Sequence, residues 1–154
     1  MKKHEEVIRK LYLGLQKLNA EKMAACYHEE ATFRDPVFDL KSKREIAGMW
    51  AMLSSRAKKF ELTFDSIEAD EKSGSAYVEA QYLFSSTGRM VHNKIEANFN
   101  FKDGLIIKQV DSFDFWRWSR YALGLPGYLL GWSSLLQNKV RKEAGENLGI
   151  FLDS

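Results

Sequence analysis

The sequence predicts a single α+β domain, a cone-shaped curved antiparallel sheet packed around N-terminal helices and followed by a C-terminal helical extension. Three observations predict it. Most apolar residues before Lys59 recur at three- and four-residue steps, whereas those from Phe60 to Phe115 alternate with period two. Turn-forming groups punctuate the second region at Lys72-Ser73-Gly74, Thr87-Gly88 and Asp103-Gly104. The length, 154 residues, suits one hydrophobic core. No repeat or Pro/Gly/Ser-rich linker divides the chain, so residues 1–115 are expected to form the cone and 116–154 an aromatic-rich extension of the same domain.

The first helix is carried by Val7, Ile8, Leu11, Leu15 and Leu18, which share one face, with Tyr12 beside them. Asn19 can cap a short second helix through Met23 to Tyr27. Ala31 to Asp35 alternates as a short strand that Pro36, lacking an N–H, terminates. Ser42 and Glu45 have capping-box spacing and start a third helix, whose inner face is expected to be Ile46, Met49, Trp50 and Leu53.

Strands are expected near 60–69, 75–85, 90–101 and 105–115. A two-residue loop at Thr87-Gly88 sets Phe84 opposite Val91, Tyr82 opposite Asn93, Ala80 opposite Ile95 and Val78 opposite Ala97. That face is apolar, so Tyr82 and Asn93 point inward, where a hydroxyl and an amide must find partners or contact a ligand. The next hairpin has two registers. A two-residue turn at Asp103-Gly104 turns Asp114 inward; a three-residue loop with a bulge turns Asp111 inward beside Leu105, Ile107, Phe113 and Phe115, the more apolar company.

Charge and composition exclude several function classes. Twenty-three basic against 21 acidic residues leave a formal net charge of +2, no electrostatic footprint for nucleic acid. Cys26 is the only cysteine, so no internal disulfide can form, and a cytoplasmic location is the default expectation. No apolar run follows Met1-Lys2-Lys3, which predicts neither a signal peptide nor an anchor. Metal-ligand spacings, phosphate loops and nucleophile elbows are missing, so no metal or cofactor is expected.

Two segments carry a resemblance. Tyr27-His28-Glu29-Glu30-Ala31-Thr32-Phe33-Arg34-Asp35-Pro36-Val37 resembles the first-strand segment of ketosteroid isomerases. Gly104 to Phe115, with Val110-Asp111-Ser112-Phe113-Asp114-Phe115, is similar to the last-strand segment of limonene epoxide hydrolases and SnoaL-like polyketide cyclases. Together they make the first three-quarters of the chain look like a nuclear transport factor 2-like cone. The resemblance implies that Asp35 stands where the isomerases keep a general base, and Asp111 where the hydrolases and cyclases keep an acid/base aspartate, both facing the cone mouth. Ala97 stands in place of the isomerases' oxyanion aspartate, and Tyr12 lies one position from their tyrosine. Val78-Glu79-Ala80 replaces the hydrolases' Arg-x-Asp.

The expected function is therefore acid/base isomerase, cyclase or hydratase chemistry on an apolar small molecule, with Asp35 and Asp111 catalytic and Tyr12, Trp50, Tyr82, Asn93 and Phe113 lining the ligand site. The alternative is a non-catalytic ligand- or protein-binding module of the same fold. A homodimer through the outer sheet face of Gln81 and Lys94 is also expected. The tail from Trp116 to Trp132, then Leu136, Val140, Ala144 and Leu148 beside Lys139, Arg141 and Lys142, is read as a lid on the cone or a subunit contact, with a membrane-surface segment as the other reading.

Overall fold

The computed structural model describes residues 2–154; Met1, where the N-terminal reading begins, lies outside them. Helix α1 (Lys2–Gln16) buries Ile8, Leu11, Tyr12 and Leu15. Helix α2 (Ala20–Ala24) starts at Asn19, whose side chain accepts a hydrogen bond from the Lys22 N–H. Helix α3 (Lys43–Arg56) opens on the Ser42 cap, but the Glu45 carboxylate reaches the N–H of Lys41 and not that of Ser42. Its buried face is Ile46, Gly48, Met49, Trp50 and Met52; Leu53, predicted inward, is half-exposed. The stripe turns by one position because the sheet meets α3 on the Met49–Met52 side.

Six strands form one sheet: β1 (Tyr27–Arg34), β2 (Asp39–Leu40), β3 (Glu61–Ala69), β4 (Ser73–Phe84), β5 (Arg89–Lys102) and β6 (Leu105–Ser112), in the order β2-β1-β6-β5-β4-β3. Pairing is antiparallel except between β1 and β6, which run parallel with Phe33 beside Gln109 and Arg34 beside Val110. The pair is parallel because α3 carries the chain from one end of the sheet to the other. The meander of β3 to β6 then returns to β1 in its own direction.

Register decides what faces the core. The β4–β5 loop is four residues long, and Phe84 pairs with Arg89, Tyr82 with Val91, Ala80 with Asn93 and Val78 with Ile95. This replaces the predicted two-residue loop. A shift of two preserves the period of the strand, so Tyr82 and Asn93 still point inward. At the β5–β6 hairpin, Asp103 and Gly104 both have positive φ, 55° and 77°, as a two-residue type I′ turn requires. The ladder then slips, with Phe101 opposite Ile106 but Asn100 opposite Lys108, so Ile107 is an extra, bulged residue. The first predicted turn and the second predicted facing coexist: Asp111 is inward, opposite Ala97. Ile106, not Ile107, takes the buried position.

The β6 strand stops before Phe115. Asp114, the rejected inward candidate, caps helix α4 (Phe115–Leu123) by accepting from the Arg117 N–H. Helices α5 (Leu125–Leu130) and α6 (Ser134–Leu152) follow. The main core joins α1, α2 and α3 to the inner sheet face. A second cluster of Val91, Phe115, Trp118 and Ala122, with Val37, Tyr82, Phe113 and Val140 against it, puts the tail over one end of the sheet. Helix α6 settles on α3 where Gly48 is bare: a Cβ there would fall 2.3 Å from Leu152 Cδ2. No helix among the described residues is long and apolar enough to cross a membrane.

Candidate functional site

The bulge at Ile107 puts Gln109 and Asp111 on the inner face of β6, where both side chains are buried. A chain of hydrogen bonds leads to Asp111. Trp50 Nε1 on α3 donates to Tyr27 Oη (3.0 Å), Tyr27 Oη donates to Gln109 Oε1, and Gln109 Nε2 donates to Asp111 Oδ1 (2.9 Å). Fixing the amide orientation at both ends leaves Asp111 with one donated bond, to a carboxylate only 9% exposed. Burial therefore dominates, and it pushes the Asp111 pKa up to about 7; the Gln109 bond opposes the rise and the nearby Asp35 charge adds to it.

Tyr12 enters the same interior from α1, packed between Phe64 and Phe99. It is 2% exposed, and its hydroxyl has no hydrogen-bond partner. Burial first, then the Asp111 and Tyr27 charges, raise its pKa well above the ordinary phenol value, so it is a neutral donor. A buried orphan hydroxyl costs about 1–3 kcal/mol, a cost that structure alone does not offset. Asn93 on β5 is also buried and inward.

Asp35 follows β1, and Pro36 explains its position: the strand cannot continue, and the chain turns. Asp35 Oδ1 accepts from the N–H groups of Val37 (2.7 Å) and Phe38 (2.6 Å), an Asx turn that locks the side chain to its own loop. Burial raises its pKa to about 6 against the pull of those two N–H groups and of Arg141. Asp35 lines a groove of about 420 Å³ between the 35–40 turn and α6, with Arg34, Leu40, Glu45 and Arg141. Asp111 is not part of that lining. The Asp35 charge nevertheless reaches Asp111 and adds to the rise of its pKa.

The other predicted ligand residues divide. Trp50 is buried and committed to Tyr27, while Tyr82 Oη accepts from Trp118 Nε1 (2.9 Å), which draws α4 over the sheet. Phe113 packs in the tail cluster with Tyr82. Sequence reasoning missed Tyr27, Gln109 and Trp118. The bulge hides the facing of Gln109, and irregular pairing between Tyr27 and Thr32 breaks the alternation that would have flagged Tyr27. Among the described residues, no group of three His, Cys, Asp or Glu side chains converges as a metal site would require. Cys26 is buried, with its thiol pushed by burial to about 11.

A family model described as a SnoaL-like domain matches residues 8–109. Among solved structures, an LEH-like epoxide hydrolase of M. tuberculosis superposes with a TM-score of 0.67 at 18% identity, over 88% of this chain and 96% of that one. A nuclear transport factor 2-like protein of unknown function from Burkholderia pseudomallei gives 0.70 at 13%, over 80% and 99%. A putative ketosteroid isomerase from Kribbella flavida gives 0.60 at 16%, over 73% and 78%. At these identities the likeness is one of fold. None of the curated proteins matches the chain.

Proposed function

Since the chain belongs to the SnoaL-like domain family of the nuclear transport factor 2-like superfamily, we propose that it binds an apolar, carbonyl-bearing small molecule inside the cone and moves a proton on it. The observation that carries this reading is the pairing, in one aromatic interior, of the Asp111 carboxyl, with a pKa near 7, and the Tyr12 hydroxyl, which has no partner. A carboxyl poised near neutrality can both take and return a proton. Asp111 removes the proton from the carbon next to the carbonyl, the electron pair moves onto the carbonyl oxygen, and Tyr12 donates a hydrogen bond to that oxygen. Return of the proton from Asp111 at the same or a conjugated carbon closes the cycle without any redox step. Asp111 stands directly across the ladder from Ala97. A carboxyl on the neighbouring strand therefore occupies the region that Ala97 leaves unfunctionalised.

Asp35 supports the reading as a second carboxylate whose charge acts on Asp111 from the neighbouring groove, and Asn93, Tyr82, Trp50 and Phe113 supply the lining. The outer sheet face, where Glu79 pairs with Lys94 and Gln81 with His92, is polar and open, and we infer that two subunits associate there. Both edges of the sheet disfavour pairing by strand addition: β2 has two residues and β3 is irregular after Asp65.

The test is hydrogen–deuterium exchange of the α-protons in a panel of apolar cyclic ketones, followed by NMR. Wild type is expected to exchange at least one of them, with Asp111→Asn retaining affinity and losing exchange by about 10²–10⁴-fold. A panel member that binds tightly but never exchanges assigns the cone to ligand binding without catalysis.

A further inference from the structure

The tail carries a surface that the cone chemistry does not use. Trp116, Leu125, Tyr128, Leu129, Trp132 and Leu135 are all exposed, Leu129 at 61% and Trp132 at 73%. These side chains are held outward by the backbone. A Cβ on Gly127 would lie 2.1 Å from the Ser119 carbonyl oxygen, and one on Gly131 2.0 Å from Ser119 Oγ. With glycine at both positions α5 lies directly on α4, so its bulky residues have only solvent to face. The Trp132 N–H donates to the Leu129 carbonyl (2.9 Å), which leaves the indole's outer side apolar.

The charge on this patch is basic up to Lys142, beyond which Glu143 and Glu146 follow on α6. Residues 116–142 contain five basic side chains, Arg117, Arg120, Lys139, Arg141 and Lys142, and no acidic one, while residues 1–115 balance 18 basic with 18 acidic. Arg120 lies over the rings of Trp116 (4.5 Å) and Tyr128 (5.7 Å), and Arg117 over Tyr121 (5.3 Å), so guanidinium groups rim the aromatic surface. On α6, helical spacing continues the stripe of Leu135 into Lys139 and Lys142, both exposed. We propose that this surface docks the protein on an anionic lipid bilayer, with Leu125, Leu129, Trp132 and Leu135 entering the headgroup–acyl boundary and the arginines and lysines meeting lipid phosphates. Trp and Tyr favour that depth because their rings are apolar at one end and polar at the other. A second copy of the chain fits worse. A twofold contact sets the patch against itself, bringing the Arg117, Arg120, Lys139 and Lys142 charges of the two copies together.

The test is co-sedimentation of the full chain with vesicles of phosphatidylcholine alone and of phosphatidylcholine with 30% phosphatidylglycerol (about the anionic content that gives a strong surface potential). Binding is expected only to the anionic vesicles, with a blue shift of tryptophan emission and loss of binding as salt rises. Lys139→Glu/Lys142→Glu, at two exposed sites, is expected to weaken binding by at least about tenfold. Leu129→Ser/Trp132→Ser is expected to abolish the emission shift with an unchanged circular dichroism spectrum. Equal absence of wild-type binding to both vesicle types overturns the proposal. So does a lipid-free, concentration-dependent dimer that Leu129→Ser/Trp132→Ser dissociates, which would assign the patch to a second copy.

Discussion

A carboxyl group in an aromatic interior has a stability cost that depends on pH, and Asp111 makes the sign unusual. Its folded pKa, about 7, lies above the unfolded value, so the native state holds the proton more tightly than the unfolded chain. Its contribution to stability is therefore greatest below pH ~4, falls as pH rises from ~4 to ~7, and is level above that. Asp35, raised to about 6, adds to the same slope over a narrower window. Urea denaturation between pH 5 and 8 is expected to show this decline, and Asp111→Asn to flatten it and to gain roughly 2–4 kcal/mol at pH 8. An unchanged slope in the variant would show that Asp111 titrates as a solvated carboxyl. Tyr12→Phe tests the orphan hydroxyl in the same way: about 1 kcal/mol more stable or neutral by thermal denaturation, yet slower in ketone exchange. At this scale the alternation of the strands indicated Tyr82 and Asn93 as inward polar residues, and the family resemblance added Asp35 and Asp111. The alternation left Asp111 against Asp114 open because one bulged residue, Ile107, decides the facing, and nothing in the composition of β6 marks it.

At the scale of elements, period and capping were legible where they are local. The Asn19 and Ser42 caps, the Pro36 stop and the Asp103-Gly104 turn all follow from side chains acting within four residues of themselves. What was not legible depends on a neighbour: the exposure of Leu53 and the two-residue strand β2, which exists only by pairing with β1. Contacts between elements also set the next expectation. Gly127→Ala forces α5 off α4, because the obstructing atom is a backbone oxygen that cannot rotate away. Amides of 125–131 are expected to lose about 1–3 kcal/mol of protection in hydrogen exchange, with β4 and β5 unaffected.

Taken as a whole, the molecule is an aromatic cone closed at one end by its own tail. The Trp118–Tyr82 bond, Val140 at the second cluster, Leu148 beside Gly48 of α3, and the bonds of Gln137 and Arg141 to the Pro36 carbonyl are among the points where that closure is fastened. Leu148→Ser, at a position 3% exposed, is expected to free α6 while the sheet stays folded. Limited proteolysis should then cut after Arg141 or Lys142 first, and the groove beside Asp35 should open to ligand. Cleavage beginning inside the sheet would instead show that α6 holds the cone together. Fold class was readable from periodicity over the whole chain, whereas closure was not, because it rests on the packing of single side chains from distant segments.

The parallel pairing of β1 with β6 also bears on how the chain is made. Tyr27 meets Gln109, 82 positions further on, so the partner of the first strand is among the last parts of the sheet to leave the ribosome. At ~5–20 residues per second, β1 waits ~4–16 s with Ala31 and Phe33 uncovered. The β1–β6 pairing can form only after β6 has been made. Nascent chains halted before Leu105 are accordingly natural clients of chaperones that hold exposed apolar strands.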